Sequence, residues 1–239
     1  MEEKEDRQIL NLNKVNTFYG KAQILFDMSL EMSRGEVAVL LGRNGVGKST
    51  TFKTIIGLVV PKSGTIQFKG HEITGAPPYK ICALGLGFVP EDRRIFTGLT
   101  VMENLEVGKR PPREGYEPWT PERLFELFPN LAAVSNHLGG QISGGEQQML
   151  TIARTLMGNP EMIILDEPSE GLAPVIVDQL ANTITRLKKS SVTVLLAEQN
   201  LNFARRICDR VFIVDHGRVC HESRMEDLTD EVCEMYLAV

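Results

Sequence analysis

The chain has 239 residues, a formal net charge of −5 and 42% hydrophobic residues. This length suits one domain with a sizeable core, and the acidic balance argues against nucleic acid as a ligand. The opening stretch MEEKEDRQ is charged, and no apolar run approaches the roughly 20 residues that span a bilayer, so we expect neither a secretory signal nor a membrane span. The four cysteines are widely spaced without a CxxC pair, which indicates neither a zinc site nor a disulfide framework.

The order of the predicted elements indicates an α/β fold. Over the first 90 residues the pattern predicts one helix, after Lys48, and strands at 9–15, 26–32, 36–41, 64–70 and 86–90. Proline and charge dominate residues 109–121, which indicates an exposed excursion between helices at 100–108 and 121–131. Strands and helices then alternate over 162–167, 174–189, 191–198, 201–208 and 210–215. This alternation predicts a largely parallel sheet with helices on both faces.

A glycine-rich stretch, LLGRNGVGKST, follows one predicted strand and opens the helix after Lys48. Its spacing, Gly42-x4-Gly47-Lys48-Ser49, fits a phosphate-binding loop, with Lys48 for the outer phosphates and the Ser49 hydroxyl for Mg²⁺. Glycine lets several backbone N–H groups point at one anion, and the helix N-terminus adds partial positive charge. The alternative is a glycine-rich turn with a solvated lysine. The phosphate-loop interpretation assigns to the ligand Gly42, Arg43, Asn44, Gly45, Val46, Gly47, Lys48, Ser49 and Thr50.

Two adjacent acids, Asp166 and Glu167, end the apolar strand in EMIILDEP. Ligands of open α/β sheets bind at the carboxyl ends of the strands, so both carboxylates should face the phosphate loop. We expect Asp166 to hold Mg²⁺ and Glu167 to polarise an attacking water. The alternative is a pair of acids that merely ends a strand.

The stretch QISGGEQQMLTIARTLMGNP predicts a helix that opens with a capping box, formed by Ser143 and Glu146. Gly144 and Gly145 follow the cap, although glycine costs about 1 kcal/mol relative to alanine inside a helix. A cap alone does not need them. They are explained if something comes close to the backbone at this N-terminus, and an anion is the natural candidate.

The stretches GRNGVGKST, ISGGEQQ and IILDEP, in this order, resemble the nucleotide-binding subunits of ATP-binding-cassette (ABC) transporters across essentially the whole chain. The resemblance implies a P-loop NTPase of ABC type that binds ATP and Mg²⁺, with an antiparallel N-terminal β part. It also implies one domain, with a nucleotide-binding core at 1–90 and 156–239 and a helical lobe at 91–155 that ends in the signature helix. In the implied head-to-tail dimer, the γ-phosphate on the partner's loop touches Ser143, Gly144 and Gly145.

The stretches FVPEDRRIF, LFELFPNL, DEPSEGLAP and LLAEQN narrow the resemblance to the second ATP-binding subunit of branched-chain amino-acid importers, the LivF type, and its urea and amide relatives. This implies a peripheral subunit on the cytoplasmic face of the membrane. Its partners would be transmembrane permease subunits, a second ATPase subunit in a heterodimer and, indirectly, an extracytoplasmic solute-binding protein. By the same resemblance Tyr19 stacks on adenine, although such a residue alone would more often be a packing residue. Contacts with a permease subunit are expected from Arg93, Arg94, Ile95, Phe96 and Leu99.

Three positions depart from the wider ABC pattern. Glu91 stands where glutamine is usual, and it can still ligate Mg²⁺ or water while adding negative charge near the γ-phosphate. Gln199 stands where a catalytic histidine is usual, and its amide can donate a hydrogen bond but cannot carry a proton. Without the resemblance, an exposed loop glutamate and a glutamine at a strand end would be favoured. The stretch SEGLAP also lacks the usual aspartate, which leaves its contact across the dimer in doubt.

Two other classes compete with the importer interpretation. One is a soluble ABC ATPase of a cluster-assembly or chromosome-handling complex; the chromosome type would need a long heptad insertion, and the sequence contains none. The other is a non-catalytic binding module, against which the intact Lys48, Ser49, Asp166 and Glu167 argue.

Overall fold

The computed structural model describes residues 7–237. The strands are β1 (Gln8–Tyr19), β2 (Ala22–Ser33), β3 (Val37–Leu41), β4 (Ser63–Phe68), β5 (His71–Glu72), β6 (Leu86–Val89), β7 (Met162–Asp166), β8 (Thr193–Glu198), β9 (Arg210–Asp215) and β10 (Arg218–Arg224). The helices are α1 (Lys48–Ile55), α2 (Pro78–Leu84), α3 (Val101–Gly108), α4 (Pro121–Leu127), α5 (Pro129–Ala133), α6 (Gly144–Leu156), α7 (Pro174–Lys189), α8 (Leu201–Ile207) and α9 (Asp230–Leu237). Two short 3₁₀ turns cover Gly139–Gln141 and Met225–Asp227.

The strands form two sheets. A four-stranded antiparallel sheet has the order β2-β1-β4-β5, and a six-stranded sheet has the order β10-β9-β3-β8-β7-β6. Every neighbouring pair from β9 to β6 is parallel, and only the edge strand β10 runs antiparallel within the described sheet. The predicted α/β class, with a largely parallel sheet and an antiparallel N-terminal part, is confirmed.

The alternation of side chains along the central strands divides the interior into two cores. On β3, Val37, Val39 and Leu41 face one core, whereas Ala38 and Leu40 face the other. The first core lies under α6, α7, α8 and the lobe helices, and the second lies between the two sheets and against α1. Both faces of the parallel sheet are therefore covered, which explains why β3 and β7 read as unbroken apolar runs.

Several elements of the structure differ from those predicted from the sequence. Helix α2 lies within the first 90 residues, where only one helix was expected. The helix expected over 121–131 is two helices, α4 and α5, because Pro129 cannot continue the hydrogen bonding of α4 and instead starts α5. Strands β5 and β10 and helix α9 have no counterpart among the predicted elements.

Capping interactions fix the helices of the lobe. Thr100 and Glu103 form a capping box at α3, and the Thr120 hydroxyl accepts from the Arg123 backbone N–H at the start of α4, as its sequence predicts. Within residues 7–237, every helix is too short or too polar to cross a bilayer.

The single tryptophan of the chain closes the proline-rich excursion. The backbone N–H of Trp119 donates to Asn159 Oδ1 at 2.8 Å, and the Arg123 guanidinium lies 4.0 Å from the centre of the indole ring. Arg123 also donates to Ser190 Oγ at 3.3 Å. Asn159 follows α6 and Ser190 follows α7, so Trp119 and Arg123 attach the proline-rich excursion to the segments after these two helices.

Candidate functional site

The carboxyl ends of three neighbouring strands meet at one edge of the parallel sheet. Strand β8 lies between β3 and β7, with Leu41 opposite Glu198 and Asp166 opposite Ala197. The glycine-rich loop after β3, the acids at the end of β7 and Gln199 after β8 are therefore brought together. This is the arrangement that the strand-end argument predicts.

The loop between β3 and α1 wraps around the Lys48 ammonium. Gly47 has a φ of 109°, which side-chain-bearing residues rarely adopt, and its carbonyl accepts the first helical hydrogen bond from Thr51 N–H. Lys48 is only 3% exposed. Its Nζ donates to the carbonyls of Gly42 and Arg43 at 2.8 and 2.9 Å and lies 3.1 Å from Glu167 Oε1. The cation is fixed at the mouth of the loop, where a phosphate would meet it.

Ser49 and Asp166 form the second part of the site. The Ser49 hydroxyl donates to Asp166 Oδ1 at 2.9 Å. Burial, the largest cause, and the negative charges of Glu167 and Glu91 together raise the pKa of Asp166 to about 6, although the hydrogen bond from Ser49 lowers it. A hydroxyl and a carboxylate in contact, in a region of excess negative charge, are suitable ligands for a hard cation such as Mg²⁺.

Glu167 follows β7 in an uncommon backbone conformation, with a φ of 46°. Its N–H donates to the Ala197 carbonyl at 3.2 Å, and Gln199 Nε2 donates to Glu167 Oε2 at 3.3 Å. Burial alone would raise the pKa of Glu167, but hydrogen bonds from Glu170 and Lys48, the Lys48 charge and the Gln199 amide hold that pKa below its usual value. Glu167 is thus an oriented, ionised carboxylate.

Sequence reasoning missed Glu170. Its backbone N–H donates to the Glu167 carbonyl at 3.2 Å, so the chain turns back and places both carboxyl groups in one cleft. A shared hydrogen bond with Glu167, followed by desolvation and the charge of Glu167, raises the pKa of Glu170 to about 7. The spacing of three residues after the strand end was the available signal, because such a turn returns a side chain to the same edge.

The cleft at this edge has a volume of about 260 Å³. Its lining joins the loop to the acids and consists of Asn44, Gly45, Gly47, Lys48, Ser49, Thr50, Glu91, Glu167 and Glu170. Tyr19 is not part of this lining; it lies at the end of β1, is 47% exposed, and precedes Gly20 in the turn to β2.

Ser143, Gly144 and Gly145 lie outside this cleft, at the N-terminus of α6. The predicted capping box is present, with Ser143 N–H donating to Glu146 Oε2 at 2.7 Å and Glu146 N–H donating to Ser143 Oγ at 3.3 Å. A Cβ on Gly145 would lie 2.9 Å from Ile176 Cγ1 of α7. Packing within the chain therefore also requires a glycine, which the sequence argument for an anion did not include.

The family model for the ABC transporter matches residues 25–170, which contain the phosphate loop, the α6 N-terminus and the acids after β7. The chain belongs to the ABC transporter family. It is an ATPase of this family, and the resemblance stated from its motifs is confirmed.

Several relatives match this ABC ATPase over nearly their whole length. The high-affinity branched-chain amino acid transport ATP-binding protein BraG of Pseudomonas aeruginosa is 42% identical, over 96% of this chain and 99% of BraG. The probable LivF protein of Archaeoglobus fulgidus is 32% identical over 93% and 94% of the two chains. The lipopolysaccharide export protein LptB of Haemophilus influenzae is 34% identical over 96% and 97%. Branched-chain amino acid transport and lipopolysaccharide export are therefore both represented among these relatives.

Among solved structures, a dimeric ATP-binding cassette in a post-hydrolysis state with ADP and Pi superposes with a TM-score of 0.78. It is 25% identical, and the match covers 92% of this chain and all of that cassette. The two chains share one fold over nearly all of this ABC ATPase.

Proposed function

We propose that this ABC ATPase is the ATP-hydrolysing subunit of an importer for branched-chain amino acids or related polar amino-acid and amide solutes. The hydrolytic role rests on one observation above the others: Glu167 is ionised and held between Lys48 and Gln199 at the mouth of the phosphate loop. The solute class rests on the 42% identity with BraG.

The residues of the cleft fit ATP and Mg²⁺. The loop offers Lys48 and backbone N–H groups to the phosphates. Tyr19, which is exposed outside the cleft lining, would stack on the adenine. Ser49 and Asp166 would hold Mg²⁺, with Glu91 of the cleft lining as a third oxygen ligand. When bound, Mg²⁺ neutralises the charge that develops on the phosphate oxygens.

Glu167 and Gln199 have different roles toward the attacking water. The low pKa keeps Glu167 able to accept a proton, so it acts as the general base. The Gln199 amide donates to Glu167 Oε2 and thereby fixes the direction of that carboxylate. Gln199 neither accepts nor releases a proton in this scheme, because an amide does not titrate.

The signature residues Ser143, Gly144 and Gly145 act in a head-to-tail dimer. Ser143 and Gly144 are exposed at the start of α6, with their backbone N–H groups at the positive end of the helix. They bind the γ-phosphate that the opposite subunit holds. The similarity to the dimeric cassette with ADP and Pi supports this arrangement.

The helical lobe docks a transmembrane permease subunit at the cytoplasmic face of the membrane. Phe96 is 47% exposed, and Ile95 and Leu99 beside it are half-buried, so this loop presents apolar surface to a partner. A solute-binding protein on the other side of the membrane would be an indirect partner.

The test of this function is purification of the affinity-tagged chain from membranes in mild detergent. We expect transmembrane permease subunits and a second ABC ATPase to co-purify, and reconstituted vesicles to take up leucine when ATP and the solute-binding protein are supplied. A second candidate function is a subunit of an export system, which the 34% identity with LptB supports. Co-purification with subunits that export a lipid would favour this second candidate. A complex without any membrane protein would instead indicate a soluble ABC ATPase.

We further propose that the dimer pairs this chain with a related but different ATPase subunit. The site on its own phosphate loop carries Gln199 in place of histidine and should hydrolyse ATP more slowly than the site on the partner's loop. Removing one of several transition-state contacts commonly costs about 10²- to 10³-fold in rate. In the purified complex, disabling the partner's phosphate-loop lysine should therefore reduce turnover more than Lys48→Ala does. Equal losses, or full activity as a homodimer, would contradict the asymmetry.

A further inference from the structure

An arginine from the loop after β6 lies against the start of α6. Arg93, two residues after Glu91, is half-buried, and its guanidinium lies against Gly144. The Nη1 atom is 3.0 Å from the position that a Cβ would occupy on Gly144, and Cζ is 3.7 Å from it. A side chain on Gly144 would displace this guanidinium.

The backbone holds Arg93 in this place. Arg93 has a φ of 59°, and its carbonyl accepts from the Thr151 hydroxyl on α6 at 3.0 Å. The next residue, Arg94, has a φ of 50°, and its carbonyl accepts from Arg154 Nη2 at 2.7 Å. Left-handed backbone at two successive residues is costly, so these two contacts from α6 are what fix the loop on the helix.

The charges around Arg93 are unbalanced. No carboxylate among residues 7–237 lies within ion-pair distance of its guanidinium, whereas Arg94 pairs with Asp92 at 2.9 Å. The N-terminus of α6 adds partial positive charge, and the carboxylate of Glu146 at this end accepts a hydrogen bond from Ser143 N–H. Glu146 thus offsets the helix N-terminus, whereas the Arg93 guanidinium has no carboxylate partner among the described residues and is available to an anion there.

We propose that Arg93 binds the γ-phosphate of the ATP held by the opposite subunit, together with Ser143, Gly144 and Gly145. This assignment rests on the proposed head-to-tail dimer. Arg93 thus acts across the interface and contributes nothing to ATP binding by its own phosphate loop. In the described chain, its guanidinium is the cationic group that lies against Gly144, and the other donors there are the Ser143 hydroxyl and backbone N–H groups.

The test uses the Glu167→Gln chain, in which hydrolysis is slowed, together with the dimer partner that purification defines, a second copy or a related subunit. Sedimentation with Mg-ATP measures the dissociation constant of the dimer, and a fluorescent ATP analogue measures binding by the dilute monomer. Arg93→Ala should raise the dimer dissociation constant about tenfold, since a charge-assisted hydrogen bond contributes at this level. Monomer binding of the analogue should not change.

Arg94→Ala is the matched control, because it removes the same charge from the next residue of the same loop, and it should change the dimer constant less than about twofold. Arg93→Lys, which keeps a charge, should restore part of the loss. The proposal is overturned if the Arg93→Ala and Arg94→Ala chains have equal dimer dissociation constants. It is also overturned if Arg93→Ala weakens binding of the analogue by the monomer as much as it weakens the dimer. A background chain that stays monomeric with Mg-ATP and its partner contradicts the ATP-closed dimer itself and, with it, the role of Arg93.

Discussion

Replacing Lys48 by alanine should abolish measurable ATP binding. Lys48 is the cation that the phosphate loop surrounds, and its ammonium is buried among the carbonyls of Gly42 and Arg43 and the carboxylate of Glu167. Each charge-assisted hydrogen bond to phosphate is worth about 1.5–3 kcal/mol, so losing an ammonium that donates two of them should weaken binding by at least about hundredfold. The variant also leaves Glu167 facing the phosphates without a neutralising partner.

Equilibrium binding of a labelled ATP to the purified chain measures this effect. Lys48→Met, which keeps the side-chain volume, should show the same loss, and circular dichroism should show that both variants remain folded. Lys80→Ala is the control, because Lys80 is an exposed lysine on α2 away from the cleft. Unchanged ATP binding by the folded Lys48→Ala chain would remove the cleft as the ATP site.

Glu167→Gln should block turnover while ATP binding persists. The amide has nearly the same size as the carboxylate and can still accept from Lys48, but it cannot take a proton from water. Loss of a general base costs about 10²- to 10⁴-fold in rate. Removing one negative charge from a cleft that also contains Glu91 and Glu170 should leave ATP affinity equal to or higher than that of the parent chain.

Release of phosphate at saturating Mg-ATP gives the turnover; it is measured on the assembled complex with the partner's phosphate-loop lysine disabled, so that only the site on this chain's loop is observed. Glu170→Gln provides the comparison, because it removes a carboxyl group from the same cleft and leaves the Glu167 carboxylate in the chain. Its turnover should exceed that of Glu167→Gln by at least about tenfold if the position of the base, rather than the charge of the cleft, limits the rate. Hydrolysis by Glu167→Gln near the parental rate would take the role of base away from Glu167.

The parts of the site that depend on local spacing were predictable from sequence. A glycine loop between a strand and a helix can place a lysine and a hydroxyl in only a few ways. The strand-end argument, rather than local spacing, placed Asp166 toward this loop, and Ser49 does contact Asp166 at 2.9 Å. The capping box of Ser143 and Glu146 was equally local, because its two hydrogen bonds join residues three positions apart.

Contacts between distant segments were not predictable in this way. The pairing of Lys48 with Glu167 and the position of Arg93 against Gly144 depend on how a loop and two strands pack in space. Arg93 and Arg94 carry no sequence sign of a left-handed backbone, because such a conformation is rare in arginine and is imposed here by Thr151 and Arg154.

The missed strand β10 had a weaker apolar pattern than the other strands of its sheet. It is an edge strand with alternate residues exposed and reads RVCHESR, which gives little hydrophobic signal. The turn before it was the usable sign. His216 and Gly217 both have positive φ, which is the geometry of a two-residue hairpin, and glycine at its second position is typical of that turn.

The position of Trp119 makes the chain suited to label-free spectroscopy. It is the single tryptophan, it is only 8% exposed, and its indole lies under a guanidinium rather than at the ATP cleft. Emission excited above the tyrosine band therefore comes from one place, where the proline-rich excursion meets the segment after α6. Because the contact between Trp119 and Asn159 must change if these two segments move relative to each other, the wavelength and intensity of that emission should report such a movement in real time.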